Sequence, residues 1–160
     1  MKKCFTIVEL LIYMGLLSIM LVVLGGLFGS VLETQLATQS SSSIDQDDRF
    51  IQARLSYDIR RATSVITPSG PGQTASFLSL NIGGAVYTYS VSDDHLFLTS
   101  SGNTQAISSY ASRFSDFSVT RLGNPGGKPS LRFTYTLRSV ITSLNQVPQV
   151  TYATATATLR

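Results

Sequence analysis

One cysteine and one histidine are all that this 160-residue chain offers of the side chains that most often bind metals or attack substrates. With Cys4 alone an intramolecular disulfide is excluded, so a folded domain must be held by its core. His95 has only Asp93 and Asp94 beside it in sequence, which reads as a turn position rather than the base of a nucleophile pair. A Walker-type glycine loop, a G-x-S-x-G elbow and Cys/His metal spacings are all missing. Asp45, Asp47 and Asp48 lack calcium-loop spacing, and a solvated helix face accounts for them. Excess charge of one sign is absent too: from Glu33 onward, ten Lys or Arg stand against eight Asp or Glu. That balance alone does not support a general nucleic-acid-binding surface. Neither an enzyme nor a cofactor or metal site is expected.

What the chain does have is an apolar run. Residues 5–32 read FTIVELLIYMGLLSIMLVVLGGLFGSVL, with Glu9 as the only charge, and a membrane-spanning helix needs roughly 20 residues. The run is too long for the core of an ordinary secretory signal, and no A-x-A-like site follows it. A lipoprotein signal would need an apolar stretch before Cys4, where only Met1, Lys2 and Lys3 stand. Lys2 and Lys3 are expected to stay cytoplasmic, which sends the C-terminal part across the cytoplasmic membrane. Glu9 costs about 2.5 to 3.5 kcal/mol inside a bilayer. It is either a helix-end acid reaching headgroup water or a charge matched by a partner.

Lys2-Lys3 followed by Phe5-Thr6-Ile7-Val8-Glu9-Leu10-Leu11 resembles the N-terminal signal of type IV pilins and type II secretion pseudopilins. With the apolar helix behind it, the resemblance covers about a third of the chain. In that family, prepilin peptidase cuts before the Phe and methylates the new amino group. The resemblance therefore implies cleavage between Cys4 and Phe5, methylation of Phe5, and a subunit-assembly role for Glu9. In that role, Glu9 pairs with the Phe5 amino group of an adjoining subunit. The family carries Gly before the cut, whereas this chain has Cys4.

Beyond the membrane run, Glu33 to Ser43 is polar, without Pro or Gly to stop a helix. Ile44, Ile51, Leu55, Ile59, Ala62 and Ile66 then form one helical stripe. Asp45 with Arg49 and Arg54 with Asp58 stand at i,i+4, and Pro68 and Gly70 mark the stop. Ser43-x-x-Gln46 has the form of a capping box, marking a bend or restart near Ser40 to Ser43. Unbroken from Phe5 to about Val65, the helix would be roughly 90 Å long. Gly25, Gly26 and Gly29 would loosen its apolar half, and the Gly25/Gly29 spacing either admits close helix approach or is ordinary for membrane glycines. Arg54, Arg60 and Arg61 suggest a phosphate patch, but Arg54 and Arg61 flank Asp58, and solvated, paired arginines are the better reading.

From Thr74 on, the period changes to that of strands. Thr74–Leu80 and Ala85–Val91 flank 81–84 as a hairpin, Asp93-Asp94 makes the next turn, Leu96–Thr99 a third strand, and 101–103 another turn. Phe117–Leu122 and Leu131–Val140 follow, separated by the 123–129 loop. Leu131, Phe133, Tyr135 and Leu137 share one face and Arg132, Thr134, Thr136 and Arg138 the other, so one face is core and one wet. Tyr152–Leu159 is a last strand tying this end to the sheet. The expected fold is α+β: a long N-terminal helix, transmembrane then amphipathic, packed on a mainly antiparallel β-sheet domain. Its divisions are a leader at 1–4, a membrane helix at 5–32, its amphipathic continuation at 33–66 and an exported β-rich domain at 67–160.

Phe50 to Val65, FIQARLSYDIRRATSV, and the strands after it look like the J-type pseudopilins and related minor pilins. The resemblance implies a minor subunit of a type IV pilus or secretion pseudopilus, near the tip as an assembly initiator. Its partners would be prepilin peptidase, other pilin or pseudopilin subunits, assembly-platform proteins and membrane lipid. An adhesin or DNA-binding pilus subunit is the alternative.

Overall fold

The computed structural model describes residues 6–124, 126–142 and 148–160. Helix α1 runs unbroken from Ile7 to Arg61, 55 residues, or about 82 Å at 1.5 Å per residue. Thr6 caps it, its Oγ1 accepting from the Glu9 amide at 3.3 Å. No restart occurs near Ser43, whose Oγ donates instead to the Ser40 carbonyl at 2.9 Å. The helix ends earlier than its apolar stripe suggests. After Ala62 the chain enters strand β1 (Ser64–Thr67), where alternation buries Val65 and leaves Ile66 exposed.

Among the described residues, nine strands form two antiparallel sheets. The first has the order β1-β3-β4-β5-β6, with β3 at Leu78–Ile82, β4 at Ala85–Ser92, β5 at His95–Ser100 and β6 at Asn103–Ala106. Three two-residue turns join β3 to β6, at Gly83-Gly84, Asp93-Asp94 and Ser101-Gly102, and all six residues have positive φ. That is the type I′ geometry whose twist matches a hairpin. The second sheet has the order β2-β7-β8-β9, with β2 at Thr74–Ala75, β7 at Ser112–Leu122, β8 at Ser130–Thr142 and β9 at Pro148–Thr158.

The stretch expected as one strand over Thr74–Leu80 is two. A bend at Ser76 and Phe77 sends β2 to β7 of the second sheet and β3 to β4 of the first. Strand β7 begins five residues before the expected Phe117. A bulge between Ser115 and Ser118, with Asp116 at φ 55°, breaks the alternation that sequence periodicity relies on.

The second half of α1 packs chiefly on β8 and β9. Ile44, Ile51, Leu55 and Ile59 are fully buried in a single core with Leu131, Phe133, Tyr135 and Leu137 of β8, and that core reaches the first sheet through Leu78, Leu80, Tyr89 and Leu96. Burying a side chain of this size contributes roughly 1.5 to 3 kcal/mol. The first half of α1 takes no part in this core.

Candidate functional site: the bare half of the helix

Ile7 to Leu32 is apolar and stands exposed, from Ile7 at 81% to Leu32 at 41%. Soluble monomers rarely show contiguous apolar patches beyond a few hundred Å². This helix is long and apolar enough to cross a bilayer, and none of its most apolar window is buried against the rest of the chain. Within Ile7 to Leu32, Ser18 Oγ donates to the Met14 carbonyl at 2.8 Å, and just beyond it Thr34 Oγ1 donates to the Ser30 carbonyl at 3.0 Å. The first suits a medium without water to bond to.

Glu9 lies in the first turn, where the helix dipole favours an acid. Its amide is held by Thr6, but among the described residues its carboxylate has no cationic partner. Cys4 and Phe5, the residues implied for cleavage and methylation, lie outside the described residues, as do Lys2 and Lys3. Gly25, Gly26 and Gly29 do not interrupt the helix, and an added Cβ at each meets nothing within 4 Å. Nothing among the described residues requires a glycine there.

The other half of α1 carries three aspartates that sequence reasoning placed on water-facing or merely flanking positions. The structure corrects this: Asp47, Asp48 and Asp58 join the helix to the sheets. Asp47 Oδ2 accepts from the Ser109 amide at 3.3 Å, the Ser109 hydroxyl at 2.6 Å and the Ser112 hydroxyl. Asp48 Oδ1 accepts from the Tyr135 hydroxyl at 2.7 Å. Asp58, only 1% exposed, accepts from Arg54 Nε at 3.1 Å and from the Tyr89 hydroxyl. Burial, then the bond to Asp58 and its charge, push the Tyr89 hydroxyl well above its ordinary pKa. Burial and Asp48 do the same to Tyr135. The signal was present in the spacing, because Asp47 is three residues past Ile44 and Asp58 three past Leu55, which puts both on the apolar stripe.

Asp45 and Arg49 form no ion pair; among the described residues the ion pairs are Arg54–Asp58 and Arg113–Asp94. Arg61 turns from Asp58 to Tyr57, bonding its hydroxyl at 3.1 Å and lying 4.9 Å from the ring centre. Only Arg60 of the three arginines is left facing solvent without a bonded side chain, which is too little for a phosphate track. His95 opens β5, with Nδ1 3.2 Å from the Ser108 hydroxyl and its ring edge-on to Tyr110. No cluster of metal-ligating side chains occurs among the described residues.

The protein is thus a single long helix, bare and apolar in its first half, docked by its second half on antiparallel sheets. That architecture is compatible with a pilin-like fold. No protein-family model, curated protein or solved structure matches the chain.

Proposed function

We propose that the protein is a minor pilin or pseudopilin. On this reading it enters the cytoplasmic membrane with its C-terminal domain outside, is cut by prepilin peptidase between Cys4 and Phe5, and joins a type IV pilus or type II secretion pseudopilus. The observation that carries the reading is Glu9, a carboxylate at the head of a bare apolar helix, with no cationic partner among the described residues. An acid in that place is costly unless matched. The N-methylated amino group of Phe5 on an adjoining subunit supplies the matching charge while the apolar helices bundle. The resemblance of 50–65 to J-type pseudopilins supports a place near the tip, where assembly begins with other minor subunits and the assembly platform.

The test is Glu9→Ala in cells that make the filament. Membrane fractions should hold the variant at the normal level, while sheared filaments should contain none of it. Recovery of the variant in sheared filaments at the wild-type level would refute the assembly role.

A further inference from the structure

Where the nine acids fall decides which cations are left uncompensated. Six lie on α1, from Glu9 to Asp58, two in the Asp93-Asp94 turn and one at Asp116 in the β7 bulge. None of them lines the cleft of about 370 Å³ that opens between the start of β1, the end of β7 and the loop before β8. Arg121, Lys128 and Arg160 do line it, beside the hydroxyl-bearing Thr63 and Ser64. Among the described residues none of these three cations is in an ion pair.

The cleft has a defined place in the fold. Ser112, which opens β7, meets Asp47, whereas Arg121 near the end of β7 shares the cleft with Ala62, just past the end of α1. It therefore lies at the end of the domain remote from the bare apolar half of the helix.

Arg121 is held in place without being neutralised. Its Nη1 donates to the Ser69 carbonyl at 2.6 Å, while its Nε is buried with no hydrogen-bond partner. A cation fixed by a neutral carbonyl keeps its whole charge for whatever enters beside it. Two features oppose an anion here. The last carbonyls of α1 are equivalent to about half a negative charge, but Arg60 and Arg61 in the last turn offset them. A main-chain carboxylate at Arg160 is the second; three cations against that one carboxylate still leave two positive charges.

We infer that this cleft is a binding site for the phosphate group of a small, polar phosphate monoester. Such a group carries close to two negative charges at neutral pH, which matches the excess. Its oxygens suit a guanidinium fork and an ammonium together, and Thr63 and Ser64 offer hydroxyls to the rest of the molecule. The volume is at the small end of the roughly 300 to 1,000 Å³ of ligand pockets. A nucleic-acid strand is a poorer fit, because it needs a succession of cations, and Arg54 and Arg61 nearby are bonded to Asp58 and Tyr57 instead. The inference needs only the folded domain and is independent of the assembly reading.

The test is nuclear magnetic resonance on the ¹⁵N-labelled full chain in maltoside micelles, which bring no phosphate of their own. Glycerol 3-phosphate is titrated at constant ionic strength. Saturable shifts should be confined to the Thr63, Ser64 and Lys128 amides and the Arg121 Nε–H, with a dissociation constant of about 1 mM or tighter. Lys128→Gln and Arg160→Gln should each weaken binding about fivefold or more, as expected for a unit charge lost near the ligand. The thermal midpoint should stay within about 2 °C in both, since each side chain is exposed. Arg121 is left intact because it also holds the Ser69 carbonyl. Dimethyl phosphate, a singly charged diester, should bind about tenfold more weakly than the monoester, and glycerol should not bind. The inference is overturned by an absence of saturable shifts, by unchanged binding in the two variants, or by shifts that matched sodium chloride reproduces. Equal affinity for dimethyl phosphate would make the site a reader of phosphodiesters, and equal affinity for inorganic sulfate a simple anion site; either result overturns the assignment to a monoester.

Discussion

Tyr89 ties the middle strand of the first sheet to the helix through a single hydroxyl, and Tyr89→Phe isolates that tie. The ring is fully buried, and its hydroxyl donates to Asp58, itself 1% exposed and also bonded to Arg54. Hydrogen bonds to charged groups contribute about 1.5 to 3 kcal/mol, and Phe fills almost the same volume, so the loss comes from the bond rather than from a cavity. Asp58 keeps Arg54 after the change, which holds the expected cost near the lower end, about 1.5 kcal/mol. The assay is urea unfolding of the full chain in detergent micelles, followed by near-ultraviolet circular dichroism, since the chain has seven tyrosines and no tryptophan. A double-mutant cycle with Asp58→Ala separates the pair from the rest of the pocket: if the bond is what matters, the coupling should be about 1 kcal/mol or more. The cycle also has a pH signature. The Tyr89 hydroxyl is raised above its unfolded value by burial, with the bond to Asp58 and its charge adding to this. Its contribution is therefore complete below about pH 10 and is lost as pH rises from there toward the folded value. Wild type should lose stability from pH 10 to 11 more steeply than Tyr89→Phe. Equal stability of the two proteins at pH 7, or parallel alkaline profiles, would refute the reasoning.

Tyr135→Phe should lessen the same alkaline loss, because burial and Asp48 raise that hydroxyl too, and the double Phe variant should have the flattest profile in urea titrations at pH 9 to 11. Asp47→Ala leaves the hydroxyls of Ser109 and Ser112 without their acceptor; a loss of about 1 to 3 kcal/mol is expected, chiefly from the buried Ser112 donor, read as a lower urea midpoint. Leu55→Ala should cost about 2 to 5 kcal/mol, because the side chain is fully buried between α1 and the sheets. Gly84→Val places a β-branched residue at φ 87° in the β3–β4 turn and should cost about 1 to 2 kcal/mol, whereas Gly25→Val, with nothing within 4 Å of an added Cβ, should leave the domain's unfolding midpoint unchanged.

Elements with strong, uninterrupted periodicity were legible in the sequence. The apolar run, the Ile44 to Ile59 stripe and the alternation of Leu131, Phe133, Tyr135 and Leu137 all appear where the pattern put them. The expected α+β plan holds, with two sheets rather than one. What escaped is where a local signal is overruled by a contact distant in sequence. The Ser76-Phe77 bend moves the chain between sheets without a Gly or Pro to announce it, and Asp116 hides the first half of β7 behind a bulge. Asp47 and Asp58 looked like surface charge because their donors, Ser109, Ser112 and Tyr89, lie 31 to 65 residues away. At the candidate site, the apolar helix and Glu9 were readable directly, whereas the groups that would meet Glu9 belong to no residue described in this chain.

The two halves of α1 face opposite problems, and their solutions explain why one continuous helix serves both. The second half has a partner within the chain, so beside its apolar stripe it carries Asp47, Asp48 and Asp58, which accept from Ser112, Tyr135 and Tyr89 of the sheets. Those bonds fix the rotation of the helix about its own axis more tightly than apolar contact would, since hydrogen bonds are directional and hydrophobic burial is not. Because the helix is unbroken from Ile7 to Arg61, a rotation fixed at Asp47 and Asp58 is carried along the rod to Glu9. On the proposed assembly reading, the domain would set which way the Glu9 carboxylate points among the apolar helices of neighbouring subunits. Loosening the anchor by Asp47→Ala with Asp58→Ala should therefore reduce recovery in sheared filaments even where the domain remains folded, and normal recovery of that variant would show that the orientation of Glu9 is set by its neighbours instead.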